Sequence, residues 1–421
     1  MPSSKLSRLA ETLIGSEIVK LGADIKEKIK QGHKIYNFTI GDFDSSIFPI
    51  PQQLENEIVE AYKNRNTTYP PADGILELKE SVIDFLATRE NLQFNSNEIL
   101  IAAGGRPLIY AAYRAIVDKG EKVIYATPSW NNNHYVHFTE GEHVVIESKF
   151  ENNFMPTAEE IKPHLKGACL LALCSPLNPT GTTFTQSELE AICDLVIEEN
   201  KQRGADEKML YVLYDQIYWT LTFGKTEHYN PVSLRPEMKA YTIFIDGISK
   251  SFAATGVRVG WAMGPAKLID KMKAINSHVG AWSPMAEQKA TAVYLKQTEL
   301  INQYFTHFKA EVEERLERIH QGFQQLKADG FTVNSISPQA AIYLTIQIFL
   351  VGKTTADGTV LENQPAVTAY LLNEAKLAIV PFSAFGASPN SSWYRLSVGT
   401  CKKEEIDEML QQLRAALEKL S

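Results

Sequence analysis

The segment Gly247-Ile-Ser-Lys250-Ser-Phe-Ala-Ala-Thr-Gly256-Val-Arg258-Val-Gly260 places a lysine after an apolar run and an arginine eight residues further on. A lysine in a partly desolvated pocket near other cations loses its proton more readily, so its amine can attack an aldehyde to form a Schiff base. Gly256 and Gly260 let the backbone approach a bulky ligand, and the forked guanidinium of Arg258 suits a phosphate. The segment therefore predicts covalent lysine chemistry beside a bound anion. The alternative is a surface Ser-Lys pair in a loop.

The composition indicates a globular protein. The chain has 421 residues, of which 44% are hydrophobic and 22% are charged, and this length favours two domains. The net charge of −8 at pH 7 does not favour a nucleic-acid or anionic-membrane surface. No run approaches the ~18 apolar residues of a membrane span, and the first residues lack the apolar segment of a signal peptide. We expect no nucleic-acid partner and no membrane association.

The cysteines and histidines do not form a recognisable metal or disulfide pattern. His134-x-x-His137 has no neighbouring carboxylate of the kind that metalloproteases use, so no metal site is predicted. Because no Cys-x-x-Cys pairing occurs, we expect buried reduced thiols and a cytoplasmic location. The cysteines are Cys169, Cys174, Cys193 and Cys401.

Short apolar runs alternate with helical patterns from about residue 75 onward. Such alternation predicts an α/β fold with a mainly parallel sheet that is covered on both faces. The five clearest runs span residues 98–102, 122–126, 168–174, 210–214 and 241–245.

Both ends of the chain have a different character. Residues 16–32 form an amphipathic helical pattern, with Ser16 as a possible N-cap and Gly32 as a stop. After about residue 300, a long charged helical pattern at 311–327 precedes a strand-like segment at 340–349. We predict a large domain and a smaller α+β domain, which span residues 50–305 and residues 1–49 plus 306–421.

Residues suited to binding follow the predicted strands. Ligands of open α/β sheets bind outside the carboxyl ends of the strands. After the first run, Gly104-Gly105-Arg106-Pro107 begins a helical pattern, which leaves free N–H groups for an anion. Because Pro107 cannot donate, we place the anion contacts on Gly105 and Arg106. A plain turn is the alternative.

Four further residues follow the second, third and fourth runs. Trp130 offers a flat face for an aromatic ligand or for ordinary packing. Asn178 is held extended by Pro179, and its amide can donate to a ligand oxygen. Asp215 follows so apolar a strand that its carboxylate needs a cationic partner, unless it caps a helix. Tyr218, three residues later, can share the ligand oxygen with Asn178.

Together these residues resemble the class I and II aminotransferases of fold type I, which depend on pyridoxal 5′-phosphate, and most of all the aspartate aminotransferases. The lysine segment is similar to their cofactor attachment site, and Asn178-Pro-Thr-Gly181 is similar to their Asn-Pro-Thr-Gly motif. The resemblance runs from about Gly41 to Arg395. It implies a large domain with a mainly parallel seven-stranded sheet, a smaller α+β domain and pyridoxal 5′-phosphate as cofactor.

The resemblance also implies a role for each matching catalytic residue. Lys250 holds the cofactor as a Schiff base and then moves the proton of the substrate α-carbon. Asp215 keeps the ring nitrogen protonated, so that the ring acts as an electron sink. Asn178 and Tyr218 contact the ring oxygen, and Trp130 stacks on the ring.

Matches elsewhere imply how phosphate, substrate and partner are bound. Gly105, Arg106 and Arg258 match phosphate-binding residues. Arg395 matches the arginine that holds the substrate α-carboxylate, and Gly41 matches a glycine beside it; Trp130 and Asn178 also border the substrate. Tyr69, in Thr-Tyr69-Pro-Pro-Ala-Asp-Gly74, matches a tyrosine that reaches the cofactor phosphate of the partner subunit. The resemblance therefore implies a homodimer with shared active sites.

The substrate is less clear than the chemistry. Trp130 and Arg395 favour transfer between aspartate and 2-oxoglutarate, an amino acid and a 2-oxo acid. One branch of the family binds the side-chain carboxylate through an arginine in the stretch matching residues 277–283, which contains none here. Either another cation binds that carboxylate, or the accepted side chain is not acidic. Trp282 in that stretch suits an apolar or aromatic side chain.

Two other function classes compete with transamination. A carbon–sulfur β-lyase has the same fold and lysine but eliminates instead of transferring. A non-catalytic regulator is disfavoured, because it would need a DNA-binding domain and only 40 residues precede Gly41.

Overall fold

The computed structural model describes residues 6–13, 15 and 17–421. The helices of the described residues are α1 (Arg8–Thr12), α2 (Glu17–Lys30), α3 (Gln52–Lys63), α4 (Leu76–Glu90), α5 (Gly105–Ile116), α6 (Asn132–Thr139), α7 (Ala158–Ile161), α8 (Gln186–Gln202), α9 (Pro231–Leu234), α10 (Ile248–Ser251), α11 (Ala266–Val279), α12 (Met285–Tyr294), α13 (Thr298–Ala328), α14 (Gln364–Glu374) and α15 (Ile406–Glu418). The strands are β1 (Tyr36–Asn37), β2 (Ile99–Ala102), β3 (Lys122–Thr127), β4 (Glu142–Glu147), β5 (Ala168–Cys174), β6 (Tyr211–Asp215), β7 (Thr242–Gly247), β8 (Gly260–Met263), β9 (Val333–Ser335), β10 (Tyr343–Ile348), β11 (Leu377–Ala378), β12 (Val380–Pro381) and β13 (Trp393–Ser397).

A seven-stranded sheet forms the centre of the fold, in the order β2-β8-β7-β6-β5-β3-β4. Only β8 runs antiparallel to its neighbours, so the predicted mainly parallel sheet is confirmed. The five apolar runs form β2, β3, β5, β6 and β7. The pattern missed β4, a largely exposed edge strand with glutamate at both ends, and the short β8, which begins at Gly260.

Helices cover both faces of this sheet. One hydrophobic cluster joins the sheet to α3, α4, α8 and α12, and another joins it to α5 and α11. Burial on both faces explains the uninterrupted apolar sequence of β5, where alternation would be expected for a half-exposed strand. Burial of each leucine or isoleucine in these clusters stabilises the folded state by roughly 1.5–3 kcal/mol.

Helix α8 shows how local sequence sets an element boundary. The Thr185 hydroxyl accepts a hydrogen bond from the backbone N–H of Glu188 (3.3 Å), whose carboxylate accepts one from the N–H of Thr185 (2.8 Å). This capping box satisfies two N–H groups that have no partner within the helix. The helix therefore begins directly after Thr185 and packs its apolar side under the sheet.

The C-terminal part forms a separate core around a four-stranded antiparallel sheet, in the order β12-β13-β10-β9. Helices α13, α14 and α15 contribute to this core. Strand β1 pairs in parallel with β11, which joins the segment before the large sheet to the C-terminal part. The domain limits at residues 49/50 and 305/306 stay a prediction, and the second limit lies within α13.

The predicted N-terminal helix is largely present. Helix α2 ends at Lys30, and Gly32 follows in the left-handed region with a φ of +87°. Ile25 is fully buried, whereas Ile29 is 46% exposed, so the apolar side is narrower than its spacing suggested. The predicted cap Ser16 lies outside the described residues.

In the part of the chain that the structure describes, no helix has the length and apolar character needed to cross a membrane.

Candidate active site

A cavity of about 600 Å³ opens at the carboxyl ends of the parallel strands. This volume lies within the range of roughly 300–1,000 Å³ that small-molecule sites occupy. Ten of the eleven predicted site residues line it: Gly41, Gly105, Arg106, Trp130, Asn178, Asp215, Tyr218, Lys250, Arg258 and Arg395. Tyr69 does not line it. Its side chain is 84% exposed and meets the edge of Trp282, with ring centroids 5.3 Å apart.

Lys250 lies in the short helix α10, directly after β7. Its amine donates a hydrogen bond to the backbone oxygen of Gly41 (2.7 Å). Burial lowers the pKa of the Lys250 amine to about 8, the carboxylate of Asp42 opposes that shift, and three guanidinium groups reinforce it. These cations belong to Arg395, Arg106 and Arg258. An appreciable fraction of the amine is therefore unprotonated, and nucleophilic, near neutral pH.

The N-terminus of α5 and Arg258 form an anion-binding corner. The first N–H groups of a helix have no partner within the helix, and the helix dipole makes this end attractive to anions. Arg258 donates hydrogen bonds to the backbone oxygens of Ala103 and Thr255, both at 2.7 Å. A Cβ at Gly104, which has a φ of +85°, would collide with this guanidinium. Only glycine permits this close approach of the arginine to the helix start.

Of the two glycines near Arg258, Gly260 has a role other than the predicted close approach to a ligand. A Cβ at Gly260 would lie 2.7 Å from the carbonyl carbon of Gly104, so Gly260 makes room for the start of α5 and not for a ligand. Gly256 has nothing within 4 Å of its added Cβ. Position 260 therefore requires glycine because the backbone of a neighbouring loop packs against it.

Asp215 ends β6 and faces the cavity. Its carboxylate accepts a hydrogen bond from the backbone N–H of Ile217 (3.1 Å), in a turn and not at the start of an α-helix. The helix-cap alternative is thus not observed. Burial raises the pKa of this carboxyl to about 6. A cation placed in the cavity would counteract that effect and favour the carboxylate.

Arg395 projects from β13 and is only 2% exposed. Its guanidinium donates to the side-chain oxygen of Asn178 (3.1 Å) and to the backbone oxygen of Thr39 (2.6 Å). Its Nε has no hydrogen-bond partner among the described residues. A buried guanidinium with no carboxylate partner is costly, so the geometry favours an anionic ligand at this position.

Gly41 stands where side chains crowd the backbone. A Cβ at this position would lie 2.9 Å from the Tyr343 hydroxyl and 3.4 Å from Nη1 of Arg395. The absence of a side chain therefore lets both groups, and the Lys250 amine, approach one short stretch of backbone.

Arg106 and Trp130 lie at the mouth of the cavity. The Arg106 guanidinium lies over the Trp130 ring, 5.5 Å from its centroid, and the ring is tilted against Phe385. Unlike Arg258 and Arg395, Arg106 is exposed and donates no side-chain hydrogen bond to another described residue. Among the three arginines of the cavity, Arg106 is thus the one whose guanidinium is not fixed by hydrogen bonds to other described residues.

Twelve of the 22 lining residues were not predicted, and Asp42, Ser249, Thr255 and Tyr343 are four of these. Ser249 and Thr255 lie inside the lysine segment, and Asp42 follows Gly41, so their proximity to predicted residues was an available signal. The Thr255 hydroxyl donates to the Asp42 carboxylate (2.6 Å). Tyr343 lies about 90 residues beyond Lys250 in sequence, and no local pattern marks it.

Comparison with known proteins gives a consistent result. The model of the family described as aminotransferase class I and II matches residues 33–413. The chain is 31% identical over 402 residues to an aspartate aminotransferase of Geobacillus stearothermophilus. The alignment covers 94% of this chain and 95% of that protein.

Solved structures are similar over nearly the whole chain. The aspartate aminotransferase of Rhizobium meliloti has a TM-score of 0.89 and 26% identity, and covers 99% of this chain and 100% of its own. An aromatic aminotransferase of Pyrococcus horikoshii OT3 has a TM-score of 0.81 and 25% identity. The match covers 94% of this chain and 98% of that chain.

The low pKa of Lys250 should be visible in its chemical reactivity. With ligand-free protein, acetic anhydride should modify Lys250 with a midpoint near pH 8, as quantified by peptide mass spectrometry. The exposed Lys419 serves as an internal reference, because the Glu374 carboxylate raises the pKa of its amine. Equal pH dependence of the two lysines, or no modification of Lys250 at any pH, would contradict the electrostatic description of the cavity.

Proposed function

Because the chain belongs to the class I and II aminotransferases, enzymes that depend on pyridoxal 5′-phosphate, we propose that it transfers an amino group between L-aspartate and 2-oxoglutarate. The observation that carries this proposal is the arrangement of three arginines around Lys250 in a single cavity. Two of these arginines are anchored by the protein, and the third is free to meet a second substrate carboxylate.

The residues of the cavity fit the cofactor. Asp215, a buried carboxylate with a raised pKa, suits the protonated ring nitrogen. The start of α5 and Arg258 suit the phosphate, and Ser249 borders the same cavity. We assign the ring oxygen to Asn178 and Tyr218 and the ring face to Trp130, since all three line the cavity. When bound, pyridoxal 5′-phosphate supplies an electron sink for the bonds at the substrate α-carbon.

Lys250 supplies the acid–base chemistry. Its amine would take the proton from the substrate α-carbon and deliver it to the cofactor carbon that receives the amino group. A group with a pKa of about 8 suits both directions, since it accepts and releases a proton readily near neutral pH. Asp215 supports this step from the far end of the ring by keeping the ring nitrogen charged.

Arg395 binds the α-carboxylate that every amino-acid and oxo-acid substrate carries. Its guanidinium is fixed by Asn178 and Thr39, so little conformational freedom is lost when a planar carboxylate binds. The unpartnered Nε and the burial of the group both favour such an anion.

Arg106 is our candidate for the side-chain carboxylate of aspartate. No residue of the 277–283 stretch lines the cavity of this chain, so that stretch does not supply a cation within the subunit. Arg106 stands at the mouth, stacked on Trp130 and free to donate. Its backbone N–H lies in the first turn of α5 and has no partner within the helix, so one residue can serve phosphate and substrate by different groups.

The same observations support a homodimer with shared active sites. Tyr69 is highly exposed and absent from the cavity of its own subunit, as expected of a residue that acts in a neighbouring site. It meets Trp282, and nearby Tyr62 donates a hydrogen bond to Glu287 (2.8 Å). We place these groups at the subunit interface, on a large domain of residues 50–305. A cytoplasmic location stays a prediction.

The proposed half-reaction can be followed by absorbance. The purified protein with pyridoxal 5′-phosphate should show a visible band, and L-aspartate without any oxo acid should shift it to the shorter wavelength of the amine form. The Lys250→Ala variant is the control and should not show this conversion. A shift of the band with aromatic but not with acidic amino acids would support an aromatic aminotransferase. Release of pyruvate and ammonia from a cysteine conjugate would support a β-lyase. Absence of any band would refute the proposal.

The two arginines should separate in substrate kinetics. Arg106→Gln should raise the KM for aspartate and 2-oxoglutarate on the order of tenfold, because these dicarboxylates lose a charged hydrogen bond. The KM for phenylalanine should stay unchanged. Arg395→Ala should weaken the binding of every amino acid by roughly 2–5 kcal/mol, since each has an α-carboxylate. Equal effects of Arg106→Gln on aspartate and phenylalanine would argue against a side-chain role.

Subunit mixing tests the shared site. Tyr69→Ala should lower cofactor affinity, and Lys250→Ala should abolish turnover. After random reassociation of equal amounts of the two variants, about a quarter of the sites should be wild type, because one hybrid site combines both intact residues. Activity at limiting cofactor should then recover. No recovery, despite demonstrated subunit exchange, would mean that Tyr69 does not act in the partner's site.

A further inference from the structure

Tyr343 lies beside the reacting groups. It begins β10, is 2% exposed, and lines the cavity. Its hydroxyl oxygen is 2.6 Å from that of Tyr218, a short distance for two phenols. The two rings meet edge to face, with centroids 5.5 Å apart. Each tyrosine is therefore held by the other in a buried pair.

Arg395 makes the pair asymmetric. Its guanidinium lies over the Tyr343 ring, 4.8 Å from the centroid. Burial raises the pKa of both phenols and the Arg395 charge counteracts it at both, but the pKa of Tyr218 is raised well above its ordinary value and that of Tyr343 is raised less. Tyr343 has the closer cation over its ring and the smaller rise in pKa, which makes it the stronger donor. The favoured arrangement therefore has the Tyr343 hydroxyl donating and the Tyr218 oxygen accepting.

The direction of this bond decides where the proton of Tyr218 points. A phenol has one proton to donate. Once Tyr218 accepts from Tyr343, its own proton is free for a partner in the cavity that Tyr218 lines. Hydrogen bonds in such a chain polarise one another, so the outer bond is strengthened by the inner one.

We propose that Tyr343 is a positioning residue that directs the Tyr218 proton into the cavity and transmits the charge of Arg395 to it. The inference rests on the proposed function, because the cavity partner of Tyr218 is the cofactor ring oxygen. An anion on Arg395 neutralises the guanidinium and weakens Tyr343 as a donor. Occupation of the α-carboxylate position is thereby coupled to the hydrogen bond at the cofactor.

Other charged and titratable groups also face this pair. The Tyr343 hydroxyl is influenced by Arg395 on β13, Cys174 on β5 and Asp42 in the loop after β1, besides Tyr218. The Lys250 amine lies over the Tyr218 ring, 5.7 Å from its centroid. Burial raises the pKa of the Cys174 thiol well above its ordinary value, so this group stays neutral. Tyr343→Phe removes the hydroxyl and leaves all these groups, and the aromatic ring under Arg395, in place.

The test is a pH titration of the visible absorption band of the cofactor-loaded protein. The form that has lost its proton carries more negative charge on the ring oxygen, and the Tyr218 bond stabilises it. Tyr343→Phe should therefore raise the pKa of the band by about half to one pH unit. In a Tyr218→Phe background the second substitution should cause no further shift, because Tyr343 acts only through Tyr218.

A matched control removes a buried phenol that is remote from the cavity. The Tyr370 hydroxyl donates to the backbone oxygen of Ala416 (2.7 Å) in the C-terminal core, so Tyr370→Phe costs a similar bond without touching the pair. This variant should leave the pKa of the band unchanged. Saturating succinate should raise that pKa in the wild type, and by less in Tyr343→Phe.

Each outcome has a definite meaning. An unshifted band in Tyr343→Phe, or a shift of equal size with and without the Tyr218 hydroxyl, would overturn the relay while leaving the aminotransferase proposal intact. An equal response to succinate in both proteins would overturn the coupling to Arg395. Failure of the wild type to form any titrating band would instead refute the proposed function.

Discussion

Desolvation of Lys250 among three guanidinium groups is the interaction on which the site depends. A lysine amine at the surface would be fully protonated near neutral pH, whereas burial and like charge lower its pKa to about 8. The fold makes this environment by bringing β7 and β13, from two different sheets, to the same cavity. Packing of the two cores therefore has a direct electrostatic consequence.

The cost of gathering so many cations is limited by how each one is held. Arg258 is satisfied by two backbone oxygens, and Arg395 by one backbone oxygen and an amide. These partners are neutral, so they fix the geometry without cancelling the charge. Two cations are thus oriented for anionic ligands, and Arg106 remains exposed at the mouth.

Sequence patterns identified several residues of the cavity because parallel strands impose a simple rule. Residues that follow β2, β3, β5, β6 and β7 must converge at one edge of the sheet, so Trp130, Asn178 and Asp215 could be named from their position after an apolar run. Arg395 and Gly41 were named only through the family resemblance, since neither follows a strand of the large sheet. Tyr343 carried no signal, because its importance comes from a hydroxyl contact with Tyr218 across 125 residues of sequence.

Local amino-acid patterns were sufficient for the α/β class, the parallel sheet and the lysine chemistry, since buried strands need apolar runs and anion sites need glycine and arginine near helix starts. Contacts between distant segments decided the rest. The backbone clash that requires Gly260, the neutral partners of Arg395 and the tyrosine pair all depend on which surfaces meet. Spacing along the chain does not encode such distances, because they arise only when the two cores pack together.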